Sequence, residues 1–242
     1  MSRRGLAGVV FALVVCVVTL WLGFTGQLVL YIHPRYVVFT MIMAGLALVV
    51  GVAAIAARAP HAHDEPPRHR WLSVVGLSLA ALVAVVLVVV PPATLTSSTA
   101  IQRDINSTGA GVGAQTIDTA GPANASGHFT VLDWASLLGQ TNDPAFYADR
   151  AADITGFITP STDDPGSVYY VSRFIITCCA VDAQPVGVPV YQPNWQDTLQ
   201  ADDWVRVTGD FASNPSTKSA DPIALVPTGV TETEAPDDPY LF

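Results

Sequence analysis

Apolar and polar positions are divided very unevenly along this chain. Residues 5–30 are apolar apart from Thr19, Thr25 and Gln27. At about 1.5 Å per residue, such a run crosses a hydrocarbon core about 30 Å thick, which predicts a first membrane-spanning helix. A cleaved signal peptide is the competing reading, but signal apolar regions run only about 7–15 residues, and no small-residue cleavage site is evident. Residues 31–36, Tyr-Ile-His-Pro-Arg-Tyr, predict a tight polar turn, because Pro34 interrupts the helix and the two tyrosines suit a membrane interface. Residues 37–57 and 71–90 predict a second and a third span, the third ended by Pro91 and Pro92.

Beyond that point the pattern changes. Residues 93–127 are rich in Ser, Thr, Gly, Ala and Asn and carry no sustained apolar period, which predicts a flexible linker. Asp133 is the expected N-cap of a short helix at 134–138, and Asp143-Pro144 predicts the start of a second through Tyr147. Strands are expected at 152–158, 168–177, 186–191, 204–212 and 223–230, separated by Asp, Pro and Gly turns, with a helical turn at 194–200. Trp204-Val-Arg-Val-Thr-Gly209 alternates as a half-buried strand should. Five strands within about 80 residues fit an OB-like small barrel, with an open β-sandwich as runner-up.

The predicted organisation is therefore an α-helical transmembrane region of three helices at 1–92, holding a histidine-bearing loop at 58–70, then the linker at 93–127. A separate mainly-β external domain follows at 128–242, with two short helices and a five-stranded OB-like barrel.

Composition agrees with a membrane protein: half the residues are hydrophobic and only 13% are charged, too few for a soluble chain of this size. The charge is segregated as well. Only Asp64 and Glu65 precede residue 91, leaving 18 acidic residues against five basic ones beyond it. Such an acidic part repels phosphate backbones and excludes a nucleic-acid partner. Arg3, Arg4, Arg58, Arg68 and Arg70 flank the spans on one side against Arg35 on the other. The positive-inside rule then predicts a multi-pass cell-membrane protein with a cytoplasmic N-terminus and an extracytoplasmic C-terminal domain.

Chemistry concentrates in one stretch, Arg173-Phe-Ile-Ile-Thr-Cys-Cys-Ala-Val-Asp-Ala-Gln-Pro185. Cys178, Cys179 and Asp182 supply two thiols and a carboxylate directly after a strand. Thiolates and a carboxylate suit a zinc-like or other soft metal ion, although zinc ordinarily takes a further ligand, for which His128 is a candidate. Adjacent cysteines can alternatively form a strained vicinal disulfide, making the site redox-active. A third reading makes them small strand residues, one inward and one outward. Arg173 stands out in its apolar strand, and Arg206 alternates with valines in another; exposure or pairing with carboxylates is the ordinary reason for such arginines. His61, His63 and His69 beside Asp64 and Glu65 form a second candidate metal site, weak and cytoplasmic. Cys16 sits in an apolar helix as an inert thiol. The chain lacks the Walker A, GxSxG, HExxH and Rossmann patterns, so no enzyme class is implied.

These residues resemble the YcgQ-type permease subunits of bacteria. The resemblance runs through Tyr31 to Tyr36, the histidine loop, Pro91-Pro-Ala-Thr-Leu95, Gly156-Phe157, the stretch 173–185, Asp203-Trp-Val-Arg-Val-Thr-Gly209 and Pro236-Asp-Asp-Pro-Tyr-Leu-Phe242. It implies a non-enzymatic accessory subunit in the lipid bilayer beside a multi-span permease partner, with a role in moving a small solute or metal-related species. By the family's pattern, Cys179 and Asp182 form a C-x-x-D element. The histidine loop here is poorer than in other members.

Overall fold

The computed structural model describes residues 3–57, 78, 95–107, 129–148 and 150–242. It divides into two compact units, Met1–Ala93 and Thr94–Phe242.

In the first unit, helix α1 (Arg3–Phe24) is followed by a 3-10 turn (Gln27–Leu30) and helix α2 (Pro34–Ala56). The expected first span thus leaves the α-helix at Phe24, because Gly26 takes a left-handed φ of 76° that only glycine adopts freely. Helix α2 starts where the tight turn was expected: Arg35 N donates to His33 Nδ1 at 3.1 Å, and Pro34 occupies the first turn, where its missing N–H costs nothing. The two helices pack antiparallel and close. A Cβ on Gly23 would lie 2.7 Å from Met41 Sδ, and one on Gly51 would lie 2.5 Å from Leu13 Cδ2. Small residues at such points let apolar helices approach. Among the described residues, α2 is the one helix long and apolar enough to cross a membrane, while Gly8–Phe24 is a shorter apolar stretch. The third expected span, apart from residue 78, and the histidine loop lie outside the described residues.

The second unit holds a six-stranded sheet: β1 (Ala151–Pro160), β2 (Val168–Ile175), β3 (Gln184–Tyr191), β4 (Trp204–Ser213), β5 (Ile223–Glu232) and β6 (Tyr240–Leu241). The order is β1-β4-β5-β3-β2-β6, and β1 also pairs with β2. The pairs β1–β2, β1–β4, β2–β3 and β4–β5 are antiparallel, whereas β3–β5 and β2–β6 are parallel. Alternate positions face a common core, so Ile154, Val171, Val188, Val207 and Leu225 are buried together. At Gly209 a register shift brings β5 so near that a Cβ would sit 2.3 Å from Val226 O.

Helix α3 (Ser97–Gln102) precedes the sheet, as do α4 (Val131–Gln140) and the one-turn α5 (Pro144–Tyr147). Helix α4 is longer than its sequence pattern implies, and Asp133 is not its N-cap. Thr130 caps it instead: Asp133 N donates to Thr130 Oγ1 at 3.3 Å and Thr130 N donates to Asp133 Oδ2 at 2.7 Å. This reciprocal box satisfies two otherwise orphaned donors. Its fully buried Trp134 meets Phe211 of β4 at 4.7 Å between ring centres, and Tyr147 joins them at 5.3 Å from Phe211. Asp143 caps α5 as expected, accepting from Ala145 N at 3.0 Å.

One expectation needs correction. Residues 95–107, placed in the flexible linker, are folded and bound to the β-domain. Ser97 N donates to Asp202 Oδ1 at 2.5 Å, and Leu95 N donates to the Tyr240 hydroxyl at 3.3 Å. Ala100 is fully buried. Short polar side chains mask this segment in the sequence, because its attachment is made by single hydrogen bonds rather than an apolar stripe.

Candidate functional site

Strand β2 ends at Ile175, two residues before the expected boundary, and β3 begins at Gln184, which pairs with Ile175. Residues 176–183 therefore form the connection that carries the chemistry. Cys178 and Cys179 lie in this loop and not in a strand, so the alternation of one inward and one outward cysteine does not apply. A 3-10 turn, Ala180–Asp182, folds the loop back. Its closure is centred on one carboxylate: Thr177 N donates to Asp182 Oδ1 at 3.2 Å and Cys178 N donates to Oδ2 at 2.8 Å, while Asp182 N donates to Cys179 O at 2.9 Å.

This closure brings the thiols to the carboxylate. The two Sγ atoms are 3.5 Å apart, and the donor atoms of Cys178, Cys179 and Asp182 all lie within 4.8 Å of one another. Cys178 is exposed, the other two are half-buried, and both cysteines are free thiols. With metal–sulfur bonds of about 2.3 Å in a tetrahedral arrangement, two thiolates stand roughly 3.8 Å apart, close to the observed spacing. The set offers two sulfurs and one oxygen, leaving a tetrahedral ion an open position.

The electrostatics follow from the same contacts. Hydrogen bonding to Asp182 pushes the Cys178 thiol up to about 12, and the Cys179 sulfur adds to the effect, because a thiolate there would face a carboxylate and a second sulfur. Asp182 is subject to a desolvation that raises its pKa. The Cys178 thiol and the backbone amides of Cys178, Thr177 and Cys179 outweigh it, holding the carboxyl below its usual range.

Arg173 has a different place from the one its isolation in the strand invites. Its guanidinium donates to three backbone carbonyls: Pro239 O at 2.9 Å, Asp238 O at 2.6 Å and Thr155 O at 3.4 Å, and it lies 5.2 Å from the Trp204 ring centre. It fastens the segment leading into β6, which pairs Tyr240 with Phe174 and Leu241 with Ile175. Ile176 N extends that pairing by donating to Leu241 O at 3.0 Å, at the entrance of the cysteine loop. Arg206 makes a bidentate pair with Asp153, at 2.7 and 2.5 Å, on the exposed face. His61, His63, His69 and His128 lie outside the described residues.

Two contributors to the site escape the sequence pattern. Strand β6 is two residues long, in a tail dominated by Pro and Asp, and no periodicity marks it. Arg103 comes from the segment expected to be flexible; its Nη1 donates to the carbonyl of Ala183, the residue after Asp182.

Fold and site together define a protein with an apolar helical region and a separate β-domain that displays a thiol–carboxylate loop. Residues 6–106 match the DUF1980 N-terminal domain and residues 129–242 match the DUF1980 C-terminal domain. The chain belongs to the DUF1980 family. No curated protein and no solved structure matches it.

Proposed function

We propose that this protein is a non-enzymatic accessory subunit of a multi-span membrane permease, and that its β-domain captures or gates a zinc-like or other soft cation through Cys178, Cys179 and Asp182. The observation that carries this reading is the convergence of two free thiols and a carboxylate within 4.8 Å on an accessible loop. Capture deprotonates the thiols, so the protons released make affinity pH-dependent. The acidic character of the chain beyond residue 91 supports the reading, because a negative surface raises the local concentration of cations.

The membrane part of the proposal is a three-span region with a cytoplasmic N-terminus. The close α1–α2 packing and the apolar length of α2 support it. The β-domain is read as an OB-like small barrel, since each of β1 to β5 pairs with two others of that set and the pairings lead from β1 through β4, β5, β3 and β2 back to β1. The permease partner rests on the resemblance to YcgQ-type subunits.

A thiol oxidoreductase is the second reading, favoured by the 3.5 Å separation of the sulfurs. It needs a thiol that ionises near neutral pH, whereas Cys178 is pushed the other way. A purely structural partner-binding module is the third. Titration of the full chain with Zn²⁺, alongside Cys179→Ser, distinguishes them: capture predicts stoichiometric binding that the variant loses. Thiol exchange with a model disulfide, which is reduced as Cys178 and Cys179 are oxidised, would favour the oxidoreductase, and neither activity would leave the structural module.

A further inference from the structure

Loop 176–183 is anchored to the rest of the molecule at both ends. Its entrance is held by β6 through Ile176 N, and its exit by Arg103 through the fully buried residue Ala183. Arg103 belongs to the chain that follows directly on residues 1–93, and the DUF1980 N-terminal match extends to residue 106. That stretch lies in the same compact unit as β3 and binds it. Asn106 N donates to Pro185 O at 3.2 Å, Asn106 Nδ2 donates to Gly187 O at 2.9 Å, and Gly187 N donates to Asn106 Oδ1 at 3.0 Å. Asn106 thus lies against β3 as a neighbouring strand would. Gly187 is needed for that approach, since a Cβ there would lie 3.1 Å from Ile105 Cγ2 and 3.0 Å from both Ser172 Oγ and Tyr170 Cβ.

The same strap holds two residues in the left-handed region, Asp104 at φ 53° and Asn106 at φ 60°. Asp and Asn tolerate that region better than other side chains, yet two within three residues persist because the contacts around them hold them there. The strap is therefore fixed from outside, at the carbonyls that follow the cysteine loop.

We propose that Arg103 is a positioning residue of the cation site and that the 103–106 strap responds to its occupancy; this rests on the capture reading above. Asp182 gathers the loop's amides on its carboxylate, so a cation taking one of its lone pairs alters those bonds. The next residue carries the carbonyl that Arg103 grips, and the displacement passes to Arg103 and on to the Asn106–Gly187 pairing. A positioning group of this kind changes metal affinity by about 10- to 100-fold when removed.

The test uses the full-length chain in detergent micelles with Zn²⁺ as the probe. Hydrogen exchange at the Asn106 and Gly187 amides is followed with and without Zn²⁺, and Zn²⁺ affinity is measured for the parent chain, Arg103→Ala and Arg103→Lys. The expected result is a several-fold change of exchange at both amides on Zn²⁺ addition, absent in Cys178→Ser/Cys179→Ser. Arg103→Ala should bind at least about tenfold more weakly and Arg103→Lys should recover part of the loss. Zn²⁺ binding without any change at those amides would overturn the inference and leave capture standing, and the parent chain alone suffices for that result. Absence of Zn²⁺ binding to the parent chain would overturn both.

Discussion

Replacing Asp182 by Asn should make Cys178 more reactive towards alkylation, the opposite of what removing a catalytic partner does. In the folded protein the thiol is pushed up to about 12, with its hydrogen bond to Asp182 as the largest cause. At pH 8 only about one molecule in 10⁴ then carries the thiolate, whereas an ordinary cysteine near 8.5 has roughly a quarter ionised. Asn keeps one oxygen, able to accept from Cys178 N or Thr177 N where the carboxylate serves each with its own oxygen, so the loop retains part of its closure while the negative charge is lost. If the pKa falls by about two, the thiolate population rises about 100-fold, and the lower basicity of that thiolate returns a factor of about eight at a Brønsted slope of 0.4–0.5. The net expectation is roughly a tenfold faster reaction with iodoacetamide at pH 8. Peptide mass spectrometry reads Cys178 separately from Cys16 and Cys179. Equal rates in the parent and the variant would refute the idea that Asp182 controls this thiol.

Four further outcomes follow from the structure. Zn²⁺ affinity should fall as pH falls, by about tenfold per unit for each thiol proton displaced, and competition titrations between pH 8 and 6 would detect it. Arg173→Ala should detach β6, speeding hydrogen exchange at Ile176 and costing about 2 kcal/mol of stability for its charge-assisted bonds, with little rescue by Lys because several carbonyls are served by one planar fork. Gly209→Ala should cost about 1–3 kcal/mol in a denaturant titration, because the new methyl would meet the Val226 backbone and not a movable side chain. Alkaline titration should unfold the β-domain: burial raises Tyr147 to about 12 and raises Tyr169 and Tyr170 further, with Asp221 contributing at Tyr170. Their stabilising contribution is complete below the unfolded tyrosine value of about 10 and declines as pH rises through the folded values.

Periodicity made the sheet legible. The alternation in Trp204 to Gly209 became β4 with Val205 and Val207 buried, and the turns at 161–167 and 214–222 separate strands within two residues of their expected ends. The 3-10 turn at Trp195–Asp197 also falls inside the helical turn expected at 194–200. Capping was harder to read, because both Thr130 and Asp133 are good N-cap residues and only the reciprocal bonds decide between them.

The chemical site was legible as a set of residue types but not as a geometry. Cys178, Cys179 and Asp182 are close in sequence, and the loop that joins them depends on β2 ending at Ile175. What anchors that loop comes from positions 73 residues upstream and 65 downstream of Ile176, namely Arg103 and Leu241, which no local pattern connects to it. Arg173 drew notice as a charge in an apolar strand; only the structure shows its carbonyl partners, contributed by Thr155 and by the tail residues Asp238 and Pro239.

Cation capture at Cys178, Cys179 and Asp182 is tested most directly by purifying the full-length chain anaerobically without chelator, then measuring metal content and thiol accessibility together. The account predicts about one zinc-like ion per chain, with Cys178 and Cys179 protected from alkylation until a chelator is added and no such ion in Cys178→Ser/Cys179→Ser. A metal-free chain whose two thiols are both free, or are joined to each other as a disulfide, would contradict it.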